Sequence, residues 1–396
     1  MGQWQNLPKD LLNIIQELVV SYADKLRFTS VCKSWKSALP RMPNPFRQLQ
    51  LPWLLLPCNE TSQSTFGLFN ILEKKTYYLD LPKAKQMWFK GSSHGWVVGL
   101  EGHDEIYLMN PLTRARIQLP SRSKFPDIAE YCASDRDNEY AMFNYRSGQR
   151  FDTNFSSYKV LNHLTDKFFL SSNPILSDDY MVVAIYGESS RLAYFKHGDD
   201  RWNFLPTKVA CFSDVTFYKG KILALCNNGL LQIVDIYPHF RTQDIAPPYP
   251  EVRQPPYRKF SCSEPYLVES SGGLLLVERQ VKASSDPKRI YSYETVNFNI
   301  FKLDGSKWCR ITDIGDDVLF IGFNTSMSRS SLEFPGLKKN SLYFTDNLFC
   351  YHYEEIQGGF DIGVFDLNSN SIEPLPGYNC NSYLVSPPPI WVIPAP

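Results

Sequence analysis

The sequence predicts a mainly β protein headed by a small helical module. Three observations carry this reading. Helical spacing of apolar residues is confined to residues 7 to 39. From about residue 50 onward the chain breaks into short apolar or alternating runs separated by turn residues. Aromatics at 14% and 28 prolines suit half-buried pleated surfaces joined by many turns better than helix bundles. At 396 residues the chain exceeds the usual size of one compact core, so two or three domains, or one large repeat architecture, are expected.

In the helical module, Pro8 suits a first turn, and Leu11, Ile15, Leu18, Val19 and Tyr22 follow at intervals of three and four. Asp24 can cap a second segment, in which Leu26, Phe28, Val31, Cys32, Trp35 and Leu39 keep the spacing until Pro40, Pro43 and Pro45 forbid a helix. The module is therefore placed at residues 3–42, a proline-spaced linker and first strand at 43–65, and the β domain at 66–396.

The strands of that domain are read from runs such as "GWVVGL", "EIYLMN", "MVVAIYG", "KILALC", "LLQIVDIY", "GLLLVER", "VNFNIFKLD", "DVLFIGF", "SLYFTD" and "DIGVFDL". A weak repeat lies beneath them: an edge-like strand, a polar turn, then a close on Leu-Pro or similar, as at Pro82, Pro120, Pro206, Pro247, Gly315 and Pro376. Intervals of about 40 residues or multiples of it are the spacing of four-stranded propeller blades. Dividing the β domain by about 45 residues per blade predicts a β-propeller-like domain of six to eight blades, seven preferred. Two stacked β-sandwiches are the runner-up. Long loops are expected at 121–155, 247–264 and 279–291, the last of them polar and strand-free.

Lys plus Arg equals Asp plus Glu at 41 each, and no basic stripe stands out to track a phosphate backbone, so nucleic acid is not expected as a partner. The start "MGQWQNLPKDLLN" lacks the basic flank and apolar core of a secretory signal. No stretch approaches the roughly 18 apolar residues of a membrane span. A chain free of membrane partners, nuclear and/or cytoplasmic, is the expectation. Nine singly scattered cysteines (Cys32, Cys58, Cys132, Cys211, Cys226, Cys262, Cys309, Cys350, Cys380) read as reduced, mostly buried thiols.

No catalytic constellation is legible. The six histidines form no HxH, HExxH or Cys/His cluster, so no metal site is expected. "SDRDNE" places Asp135, Asp137 and Glu139 at alternate positions without the glycine and distal glutamate of a calcium loop, and reads as a solvated turn. "GSSHGW" at 91–96 sets serines beside His94 but has no G-x-S-x-G elbow, and reads as strand entry. Asp199–Asp200 and Asp316–Asp317 read as turns between strands. No phosphate-cradling loop occurs, and no cofactor is implied.

A helical unit of about 40 residues is below the size at which one core supports itself, so something must cover its apolar stripe. Six large side chains can contribute about 1.5 to 3 kcal/mol each before the cost of association. Either the body of the same chain or another protein can be the cover.

"LPKDLLNIIQEL" followed by "DKLRFTSVCKSWKSAL" resembles an F-box, matching its pattern at Leu7, Pro8, Leu11, Leu12, Ile15, Leu26, Arg27, Phe28, Val31, Cys32 and Trp35. In that family these helices dock on the adaptor Skp1, which joins them to cullin-1 and a RING subunit in a ubiquitin ligase. The resemblance implies that these residues form the adaptor contact or the small core behind it, and spacing does not separate the two roles. Thr29 departs from the basic residue many members carry there. "YLVESSGGLLLVER", "FNIFKLDGSKWCRITDIGDDVLFIGFNTSMS", "FPGLKKNSLYFTD", "GVFDL" and "SPPPIWVIP" resemble, in the same order, the plant F-box-associated domain regarded as a β-propeller. Members of this class are often described as kelch-like or Skp1-interacting F-box proteins. Residues 137–155 match no motif of that domain.

The resemblance implies a non-catalytic substrate receptor of an SCF-type (Skp1-cullin-F-box) ligase, the propeller holding an unidentified target protein for ubiquitination. A scaffold that sequesters its partner without ligase coupling is the alternative. Within the body, the loop residues Arg114, Arg116, Tyr249, Tyr257 and Arg258 are candidates for target contact, because exposed tyrosine and arginine commonly anchor protein interfaces.

Overall fold

The computed structural model describes residues 7–18, 31–33, 35, 51–56, 65–80, 87–144, 147–151, 154–236, 240–249, 261–283, 293–346, 361–378 and 388–395. The chain divides into two compact units, Met1–Leu51 with Ala395, and Pro52–Pro394 with Pro396.

In the first unit, helix α1 (Lys9–Leu18) begins directly after Pro8, whose carbonyl accepts the Leu12 N–H at 3.1 Å. Proline is tolerated there because its missing N–H would have no helical partner. Asp10 in the first turn complements the positive end of the helix dipole. Of the expected second segment, Leu26, Arg27, Phe28 and Leu39 lie outside the described residues, as do Val19, Tyr22 and Asp24.

The second unit is a ring of six antiparallel-rich sheets. Blade one holds β1 (Trp53–Leu56), β2 (Thr65–Asn70) and β3 (Lys75–Asp80). Blade two holds β4 (Trp88–Ser93), β5 (Trp96–Glu101), β6 (Glu105–Met109) and β7 (Arg116–Leu119). A hairpin of β8 (Ile128–Tyr131) and β9 (Tyr140–Met142), with the short helix α2 (Ser157–His163), is inserted before blade three. That blade comprises β10 (Thr165–Leu170), β11 (Met181–Tyr186), β12 (Arg191–Lys196) and β13 (Asn203–Phe204). Blade four has β14 (Phe212–Tyr218), β15 (Lys221–Cys226), β16 (Leu231–Asp235) and β17 (Arg241–Ala246). Blade five is the longest, with β18 (Ser261–Ser270), β19 (Gly273–Ala283), β20 (Tyr293–Asp304) and β21 (Lys307–Ile311).

Blade six has five strands, β22 (Asp317–Ile321), β23 (Met327–Ser330), β24 (Ser341–Phe344), β25 (Gly363–Asp366) and β26 (Ser371–Glu373). It is the irregular blade: β22 pairs in parallel with β24, and β23 folds back to the inner edge beside β18. The last strand, β27 (Ile390–Val392), returns to blade one and pairs antiparallel with β1 in the register Trp53↔Val392, Leu54↔Trp391, Leu55↔Ile390. Strands β4, β10, β14 and β18 stand side by side at the centre, with β27 next to β4. A ring closed in this way leaves no open sheet edge between its first and last blades.

The count is six blades, not the seven preferred from the repeat spacing. The connection from Leu119 to Thr165 has the length of a whole blade, but among its described residues it adds a short 3-10 turn (Arg122–Lys124), the β8–β9 hairpin and α2 and no inner strand, so division by a blade length overcounts. The expected loop at 121–155 is therefore structured, and the expected strand-free stretch from 279 is occupied by β19 as far as Ala283. Of the loop expected at 247–264, residues 250–260 lie outside the described residues, and β18 begins at Ser261. Each of the ten runs quoted above lies on a strand, because alternation and turn punctuation are local signals.

The core is a set of wedges between neighbouring blades. Between blades two and three, Phe125 stacks on Tyr186 at 4.7 Å and on Trp202 at 4.8 Å, with Trp96, Phe168 and Val182 buried around them. Blades also approach through their backbones. A Cβ on Gly91 of β4 would collide with the Phe168 carbonyl of β10. Gly91→Ala is accordingly expected to destabilise the propeller by about 2 to 4 kcal/mol, since backbone cannot yield as a side chain can. A urea-unfolding midpoint within error of wild type would refute this.

Candidate interaction surfaces

Helix α1 carries two adjacent apolar stripes with opposite fates. Leu12 is 1% exposed, with Leu7, Ile15 and Trp35 packed against it. Leu11 is 47% exposed and Ile14, one turn on, 53%; Val31 is 49% exposed. Among the eleven residues singled out by motif, Leu7, Leu12, Ile15 and Trp35 thus form a small core, and Leu11 and Val31 lie outside it. Pro8 is exposed at the helix start, Cys32 is half-buried, and Leu26, Arg27 and Phe28 lie outside the described residues. Ile14 was not among the motif positions. Its signal was present, an apolar residue three positions after Leu11, where a helix places both on one side.

Of the five propeller residues expected at a target contact, three are described, and these do not share one exposed surface. Arg114 is exposed in the β6–β7 turn, in left-handed conformation (φ 63°). Arg116 lies within β7, paired with Glu101 and with its guanidinium 3.4 Å from the centre of the Tyr107 ring. Tyr249 is a correction. It is 2% exposed, donates its hydroxyl to Glu278 at 3.0 Å and packs on Phe301, so it is a core residue. An aromatic in a proline-rich stretch carries no local mark of which side it turns inward. Tyr257 and Arg258 lie outside the described residues.

Several charged residues that no motif marked converge at the inner edges of the blades. Lys167 Nζ donates to Asp214 at 2.9 Å, joining β10 to β14, and Asp214 also accepts the Leu267 N–H of β18 at 2.7 Å. Arg279, fully buried, donates to Thr295 Oγ1 at 2.7 Å, to the Thr345 carbonyl at 2.9 Å and to Asp361 at 2.8 Å, joining blade five to blade six. Glu264 stands opposite Arg279 in the β18–β19 register. Burial pushes the Glu264 carboxyl up to about 7 and the Lys90 ammonium down to about 8, and it also raises Asp166 and Asp214. The sequence signal was a lone charge inside an apolar run, as in "WFKGSS" and "LLLVERQ".

Tertiary folding revises three turn and cysteine readings. Asp317 opens β22 buried and accepts the Ser271 hydroxyl at 2.8 Å, unlike its exposed neighbour Asp316. Glu139 is buried, accepts the Ser157 N–H at 2.9 Å and lies 3.2 Å from His103. His103 Nδ1 is also 3.1 Å from Ser157 Oγ. Serine and carboxylate meet the same ring nitrogen, whereas proton relay needs one on each nitrogen, so this trio is structural. Cys226 is buried, its thiol pushed up to about 12 by burial, but Cys132 and Cys309 are exposed and Cys32 and Cys211 half-buried. "GSSHGW" forms the tight β4–β5 hairpin, Ser93 opposite Trp96, with His94 (φ 53°) and Gly95 (φ 85°) making the turn. Among the described residues no three His, Cys, Asp or Glu converge to hold a metal ion.

Comparison with known proteins gives this architecture a family. Residues 68–366, spanning β2 to β25, match the family model described as KIB1-4 beta-propeller. The chain belongs to the KIB1-4 β-propeller family. Curated relatives of this KIB1-4 propeller chain include the F-box protein SKIP23 of Arabidopsis thaliana, 26% identical, with 99% of this chain and 96% of that protein covered. The F-box protein At2g17036 of Arabidopsis thaliana is also 26% identical, covering 99% and 95% respectively. The matches extend over the N-terminal unit as well as the propeller.

Proposed function

We propose that this KIB1-4 propeller chain is the substrate-recognition subunit of an SCF-type ubiquitin ligase. Its N-terminal unit, residues 3–42, engages a Skp1-type adaptor and through it cullin-1 and a RING subunit. Residues 43–65 are the linker and first strand, and the propeller holds a target protein. The observation that carries the reading is the stripe of Leu11 and Ile14, each about half exposed, beside an inward stripe of Leu12 and Ile15 on the same helix. So small a unit that exposes apolar residues after filling its own core is shaped for a partner. The full-length likeness to relatives named F-box proteins supports a Skp1-type adaptor as that partner. The contribution is proximity: target lysines are held near the conjugating enzyme at high effective concentration, in the nucleus and/or cytoplasm, and the chain supplies no covalent chemistry of its own.

The test is co-purification with Skp1 and cullin-1. A Leu11→Ala, Ile14→Ala double variant is expected to weaken adaptor binding by about 10- to 100-fold while the chain remains folded, from about 1 kcal/mol or more of lost apolar burial per side chain. Leu12→Ala is expected to weaken it by unfolding the unit. If wild type and the double variant associate equally, or neither associates, the reading fails. Induced expression then separates a receptor from a sequestering scaffold: target abundance falls in a proteasome-dependent way for the first and is unchanged for the second.

A further inference from the structure

We draw no further inference here: the strongest candidate, the surface patch on the β8–β9 and α2 insert where Phe143 is 42% and Tyr158 60% exposed, carries nothing because nothing in the structure shows what covers it.

Discussion

Truncation of the chain before Ile390 is expected to abolish cooperative folding of the propeller, although it removes only the last strand. β27 is the inner strand of blade one and the only one of its strands that comes from the far end of the sequence. Without it, β1 exposes its unpaired edge, and the apolar wedge around Trp391 opens to water. Trp391 is fully buried, edge-on to Phe320 at 5.2 Å and to Tyr343 at 6.4 Å, so it ties blade one to blade six. The single change Trp391→Ala is expected to cost about 3 to 5 kcal/mol, read as a drop in the urea midpoint. Trp391→Phe retains most of the ring volume and should cost clearly less. A truncated chain that stays soluble with an unchanged unfolding transition would show that closure is not what holds the ring.

Arg279→Met is expected to destabilise the chain by about 3 to 5 kcal/mol at neutral pH, because it strands the Asp361 carboxylate in a desolvated site between blades five and six. Burial already raises the Asp361 carboxyl, and the Arg279 charge opposes that shift. Removing the guanidinium lets the carboxyl rise further. A folded state that holds its proton more tightly than the unfolded chain loses stability as pH rises through that interval. The deficit of the variant should therefore be largest where the carboxyl is ionised and shrink as pH falls and the carboxyl takes up its proton. Arg279→Lys is not expected to restore wild-type stability, since one ammonium cannot span Thr295, the Thr345 carbonyl and Asp361 at once. A pH-independent deficit would mean that the loss is one of packing rather than charge.

Much of the architecture was legible because its signals are local. Alternation in "MVVAIYG" or "KILALC" marks a strand wherever it sits, and Pro8 ahead of Leu11, Leu12 and Ile15 marks a helix start. The blade count was not legible, since counting by length assumes equal connections and the insert carrying β8, β9 and α2 breaks that assumption. Tyr249 was misplaced for a related reason: its partners Glu278 and Phe301 are remote in sequence, and nothing nearby signals them.

What the sequence determined by itself is a β-rich chain led by an amphipathic helical module whose apolar spacing resembles an F-box. Only the tertiary structure decided that Leu12, not Leu11, turns inward, that the ring closes at six blades through a C-terminal strand, and that Lys90, Asp166, Lys167, Asp214, Glu264 and Arg279 meet at the inner blade edges. The physical reason is range. Periodicity and turn chemistry act over a few residues, whereas burial, desolvation and charge balance depend on which distant strands the closed ring brings together.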